Sequence, residues 1–201
     1  MNSLEANNIK LHENVIIADA DFIDNVAFNL TVNFERMLGR KIPKADMAQW
    51  VINVGLDGGM KPGEQTTEVI FIYNKVKPRL DNFLPADLTT ELNNQAFNDN
   101  RFGEFIFTAY PTEEIVTKED FFTDMARTIC NHKDVKRVML IPDTDNADTW
   151  DGLRRALKDI DEDKHVTVFA MQPLTGGNFR QEILGYSLTN ALGVRGDEFK
   201  E

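Results

Sequence analysis

Short apolar runs rich in β-branched residues constrain this fold more than any other feature of the chain: "NVIIA" (14–18), "EVIFIYN" (68–74), "KRVMLI" (136–141) and "HVTVFAM" (165–171). They are too apolar to leave one face wet, as the strands of a parallel sheet covered on both sides are. "GEFIFTAY" (103–110) alternates less cleanly but is rich in strand formers. Between these runs the spacing changes to that of helices. Phe22, Val26, Leu30, Phe34 and Leu38 recur every four residues, and Gly39 closes the pattern. Residues 44–56, 117–132, 148–160 and 178–192 read as further helices, with Thr117 as an N-cap and Asp120 at capping-box spacing. Residues 82–100 read as a loop with a short helix.

The element order is therefore β-α-α-β-β-α-β-α-β-α. Right-handed crossovers leave few topologies for it. It predicts a three-layer α/β/α domain with a mainly parallel five-stranded sheet, strand one central and beside strand four. The 201 residues suit one domain able to bury about 70% of its unfolded surface. Residues 1–13 read as a flexible tail ahead of it.

A formal charge of −11 weighs against nucleic acid, whose binding rests on Lys and Arg neutralising phosphates. The basic clusters Arg36, Arg40, Lys41, Lys44 and Lys133, Lys136, Arg137 read as solvated helix ends. No apolar run approaches the roughly 18 residues of a membrane span, and the first residues lack the pattern of a signal peptide. The lone Cys130 rules out an internal disulfide. Together these features predict a cytoplasmic protein with no membrane partner.

Two strands end on the same acidic doublet, at Asp19-Ala20-Asp21 and Asp143-Thr144-Asp145. Asp is a favoured N-cap, so Asp21, and Asp145 or Asp148, can cap the helices that follow. Asp19 and Asp143 lie at the strand ends themselves and are not covered by that role. Ligands of such sheets bind outside the carboxyl ends of the strands, where the strand order reverses. If strands one and four are neighbours, the doublets form one acidic cluster, and clustered like charges call for a cation. Oxygen ligands without His or Cys point to Mg²⁺ or Mn²⁺, held by Asp19, Asp21, Asp143 and Asp145.

Other chemistries are poorly supplied. Only Ser3 and Ser187 are present, Cys130 reads as core, and His12, His132 and His165 lack metal-type spacing. "LTGGNF" (174–179) reads as a glycine turn with Asn178 capping the last helix, in preference to an anion cradle.

The segments "VIIADAD", "TKEDFFTD" and "VMLIPDTDN" resemble the NYN branch of the PIN-like nuclease superfold. That resemblance implies Mg²⁺-dependent hydrolysis of RNA, with Asp19, Asp120 (or Asp124) and Asp143 catalytic and Asp145 beside them. The chain departs from the pattern at Phe22, Pro142 and Asn146. The strand ending Asp19-x-Asp21 is also similar to haloacid-dehalogenase phosphatases, which implies Asp19 as nucleophile and Asp21 as general acid. Asp143 with Asp148 would then hold Mg²⁺, and Lys118 would be the required lysine. Here the departures are Ile23, the absence of Ser or Thr after "IYN", and a helix that leaves no room for a flap. A third reading is a non-catalytic binding domain that keeps a relict acidic pocket, with RNA or a phosphate-containing molecule as partner. The whole chain also resembles an uncharacterised bacterial family.

Overall fold

The computed structural model describes residues 11–199. Most of the expected tail lies outside the described residues, but Leu11 at its end is buried in the core. Strand β1 (Asn14–Asp19) runs without a break into helix α1 (Ala20–Leu38). A two-residue strand β2 (Ala45–Asp46) leads into α2 (Met47–Asp57), and β3 (Thr66–Asn74) follows. The segment expected to be a loop with a short helix holds one π-helical turn (Leu88–Leu92) and, beyond that expectation, β4 (Phe83–Leu84) and β5 (Ala96–Asp99). Then come β6 (Gly103–Thr112), α3 (Lys118–Cys130), β7 (Arg137–Ile141) and α4 (Ala147–Ala156). The chain closes with β8 (His165–Ala170), β9 (Arg180–Ile183), α5 (Leu184–Ala191) and a 3₁₀ turn at Gly196–Phe199.

The main sheet has the order β5-β6-β3-β1-β7-β8-β9, with β2 and β4 forming a separate pair. It is mainly parallel, but it has seven strands where five are expected from the sequence. The additions are the two edges. β5 is antiparallel to β6, and β9 is parallel to β8 in the segment expected to begin the last helix. Asn178 accordingly caps nothing, and α5 starts after Ile183 with no side-chain cap. β1 is central and pairs with both β3 and β7, which brings the strand at 137–141 beside it. Taken in chain order the parallel strands read 3-2-1-4-5-6, which puts the switch point between β1 and β7.

Neither face of the central strands meets water, because each faces a helical layer. Ile16 and Ala18 of β1 join Val69 and Phe71 of β3 under α1, α2 and α5. Val15 and Ile17 point the other way, with Ile70, Ile72 and Leu140, under α3 and α4. Emptying such a site, as in Phe71→Ala, costs about 3–5 kcal/mol in lost transfer energy and cavity. Gly39 ends α1 in the left-handed region (φ 63°), and its N–H donates to Glu35 O at 3.0 Å.

Candidate functional site

Asp19 is both the last residue of β1 and the N-cap of α1. Its Oδ1 accepts the Phe22 N–H at 3.0 Å. The capping role expected of Asp21 therefore belongs to Asp19, because the helix starts two residues earlier than its apolar face indicates. Asp21 lies in the first turn, where its Oδ2 accepts the backbone N–H of Asn74 at 3.0 Å from the end of β3.

The third member comes from α3. The Thr117 side chain caps this helix by accepting the Asp120 N–H at 3.1 Å, which makes Lys118 its first residue. The Lys118 ammonium lies 3.0 Å from Asp19 Oδ1 and 3.0 Å from Asp21 Oδ2. A cation at a helix N-terminus opposes the macrodipole, and here two carboxylates compensate for it. Asp19 is only 3% exposed. Burial pushes its carboxyl up to about 6, against the pull of Lys118 and the Phe22 N–H, with Asp21 adding to the rise. Burial also pulls the Lys118 ammonium down, but Asp19 and Asp21 outweigh it and hold it above its ordinary value.

The remaining acids take other positions. β7 runs in register with β1, Ala18 opposite Ile141, so Asp143 follows the neighbouring strand end as expected. Its Oδ1 accepts the N–H of Asp145 at 3.1 Å, a local turn. Asp145 is exposed. Asn146, not Asp145 or Asp148, caps α4 by accepting the Asp148 N–H at 3.0 Å. Asp120 is exposed on the first turn of α3, and Asp124 pairs on the surface with Arg127 at 2.6 Å.

Among the described residues, no group of three or more His, Cys, Asp or Glu is arranged to hold a metal ion. Asp19 Oδ1 already has an N–H and an ammonium as partners, and the ammonium lies where an ion between Asp19 and Asp21 would have to lie. The donor set of Asp19, Asp21, Asp143 and Asp145 does not fit Mg²⁺ or Mn²⁺, which need several free oxygens in near-octahedral array.

Cys130 is buried, and burial pushes its thiol up to about 12, so no thiolate is available near neutral pH. Ser187 is buried and donates to Leu184 O. His12 pairs with Glu68.

One buried acid escaped the sequence reading. Asp24 is 1% exposed and pairs with Lys77 at 3.0 Å. Its carboxylate also accepts the N–H groups of Asp81 at 3.0 Å and Asn82 at 2.8 Å, fixing the loop after β3. The four-residue spacing of apolar positions on α1 leaves Asp24 on the side that reads as solvent. Only a covering loop far along the chain buries it, and no local pattern reports that.

No helix among the described residues is long and apolar enough to cross a membrane. No curated protein and no solved structure matches the chain. The family model described as a family of unknown function (DUF6621) matches residues 8–199, nearly the whole chain, so this protein belongs to that family.

Proposed function

We propose that the chain is a non-catalytic α/β binding domain, in which the acids at the carboxyl end of the sheet form a structural ion triad. The observation that carries this reading is Lys118 Nζ at 3.0 Å from both Asp19 and Asp21. An internal ammonium supplies the neutralisation that a metal or a basic substrate group would otherwise bring, and it repels a second cation. A nuclease needs several carboxylates free to share ions with the phosphodiester, and the described residues offer no such group.

The test combines thermal melting with two activity assays. The protein is melted with and without Mg²⁺ and Mn²⁺, then incubated with single-stranded RNA and, separately, with phenyl phosphate. We expect no metal-dependent rise in Tm, no cleavage and no phosphate release. A rise in Tm that is lost in both Asp19→Asn and Asp143→Asn would overturn the reading. So would RNA cleavage that is lost in Asp143→Asn.

The phosphatase reading keeps one observation in its favour. The lysine that the resemblance implies does reach the aspartate that ends the first strand. Release of phosphate from phenyl phosphate that disappears in Asp19→Asn would select it over the binding domain.

A further inference from the structure

At the opposite end of the sheet from the acids, we infer that a cavity at the amino ends of β7, β8 and β9 binds a small organic phosphate. The ligand class is a phosphomonoester carried on an apolar or aromatic body. The site names a ligand for the binding-domain reading and rests on it. The cavity has a volume of about 420 Å³, within the range of small-molecule sites.

Its polar lining includes two guanidinium groups. Arg137, His165 and Arg180 stand at the starts of three adjacent strands and all line it. The two guanidinium groups converge over Gly59. A Cβ there would lie 3.0 Å from Arg137 Nη1 and 3.7 Å from Arg180 Nη1, so glycine leaves the arginines their space. Arg137 Nη1 donates to Gly58 O at 2.8 Å, which anchors the side chain and leaves its other donors for a ligand. Arg180 pairs with Glu182 at 2.5 Å, whereas among the described residues no carboxylate pairs with Arg137. Burial pulls the Arg137 guanidinium below its ordinary value, and Arg180 adds to that against the opposing charge of Glu13. A bound anion would offset this cost. Guanidinium forks match phosphate oxygens in pairs.

Two further observations point the same way. A second cavity of about 370 Å³ shares Arg137 and His165 and adds Lys61 and Lys136, with the acids Glu13 and Asp163 among them, all four exposed. Basic side chains therefore continue beyond the two arginines, interspersed with acids, on a chain whose net charge is −11. Leu157, Ile160 and Phe179 supply apolar lining. Phe179 is held edge-on to Trp150 at 5.5 Å. Apolar lining together with guanidinium groups favours an amphipathic ligand over a bare ion. Asp161 and Glu162 also line the cavity; they are exposed, as Arg180 is, so solvent and salt screen their repulsion and its attraction alike, while half-buried Arg137 is screened less.

The full chain is titrated with adenosine monophosphate, phenyl phosphate, orthophosphate and adenosine, read by calorimetry and by Tm at about 5 mM ligand. We expect both esters to bind and raise Tm, orthophosphate to bind more weakly and adenosine not to bind. Arg137→Gln and Arg180→Gln should each weaken ester binding about tenfold, the scale of one charge-assisted hydrogen bond. Arg180 is on the surface, so its variant remains informative if Arg137→Gln unfolds. No binding of either ester overturns the proposal, as does undiminished binding in the Arg180 variant. An equal response to orthophosphate and phenyl phosphate removes the apolar lining from recognition and overturns the organic part. Turnover of phenyl phosphate would overturn the non-catalytic reading while leaving this site standing.

Discussion

The two ends of the sheet handle charge in opposite ways. At the carboxyl end, two carboxylates share one ammonium at 3.0 Å each and the group is mostly shut off from water. At the amino end, arginines and lysines line open cavities together with exposed acids, and among the described residues Arg180 has a paired carboxylate whereas Arg137 has none. Compensated charge is internal structure, whereas uncompensated charge around a cavity is available to a partner. A position at the carboxyl ends of parallel strands is therefore a weaker sign of function than the state of the charges found there.

The comparison breaks most readily at Lys118. Lys118→Met leaves a buried carboxylate without its cation, and should cost about 4 kcal/mol in denaturant unfolding at pH 8. The loss should shrink at pH 5, where Asp19 takes up a proton. A loss below about 1 kcal/mol would show that the triad is not structural.

Asp19 supplies the next effect, through pH. Its folded-state carboxyl titrates at about 6 against an ordinary 3.8, so between those values the folded state holds the extra proton. The stabilisation is present at low pH and is lost as pH rises through about 6, amounting to at most about 3 kcal/mol for two pKa units. Asn caps helices as well as Asp does, so Asp19→Asn should remove this slope while keeping the fold. Unfolding free energies measured from pH 4 to 8 on both proteins check it, and parallel curves would place the proton elsewhere.

Asp24 sharpens the contrast, being a second internally satisfied acid at the same end. Asp24→Ala strands the N–H groups of Asp81 and Asn82 and should cost about 2 kcal/mol, with faster hydrogen exchange in the loop at 75–82. The smallest effect belongs to the amino end. Lys61→Gln and Lys136→Gln should change stability by no more than about 0.5 kcal/mol, since their charges satisfy nothing inside the fold. A large loss there would mean that the cationic end is structural as well.

The layers and the neighbouring positions of 14–18 and 136–141 were legible because buried parallel strands announce themselves as unbroken apolar runs. The cap of α3 was legible because Thr117 acts within its own turn. The edge strands were not. "AFND" and "RQEI" join the sheet through backbone hydrogen bonds while their side chains are only partly buried, so neither reads as an apolar run. The acids lie at the expected strand ends, and the phosphatase resemblance names Lys118 with Asp19, but nothing in the sequence shows that Asp21 shares the same ammonium. Which ammonium reaches them depends on where α3 docks, and Lys118 is remote from Asp19 in the chain. The Arg137–Arg180 pairing was hidden for the same reason, since it exists only through β9.

The position of β1 has a consequence for the order in which the chain matures. It precedes the other described strands of the sheet in the chain, yet its second neighbour, β7, lies more than a hundred residues later, with Asn14 opposite Arg137. A ribosome adding about 5–20 residues per second leaves that edge of Val15, Ile16 and Ile17 uncovered for on the order of 10 s. During that interval an unpaired, fully apolar strand edge is a template for any other nascent strand. A chain interrupted before residue 137 would keep that edge open permanently, so translation stalls within the α3 region should yield aggregates rather than soluble fragments.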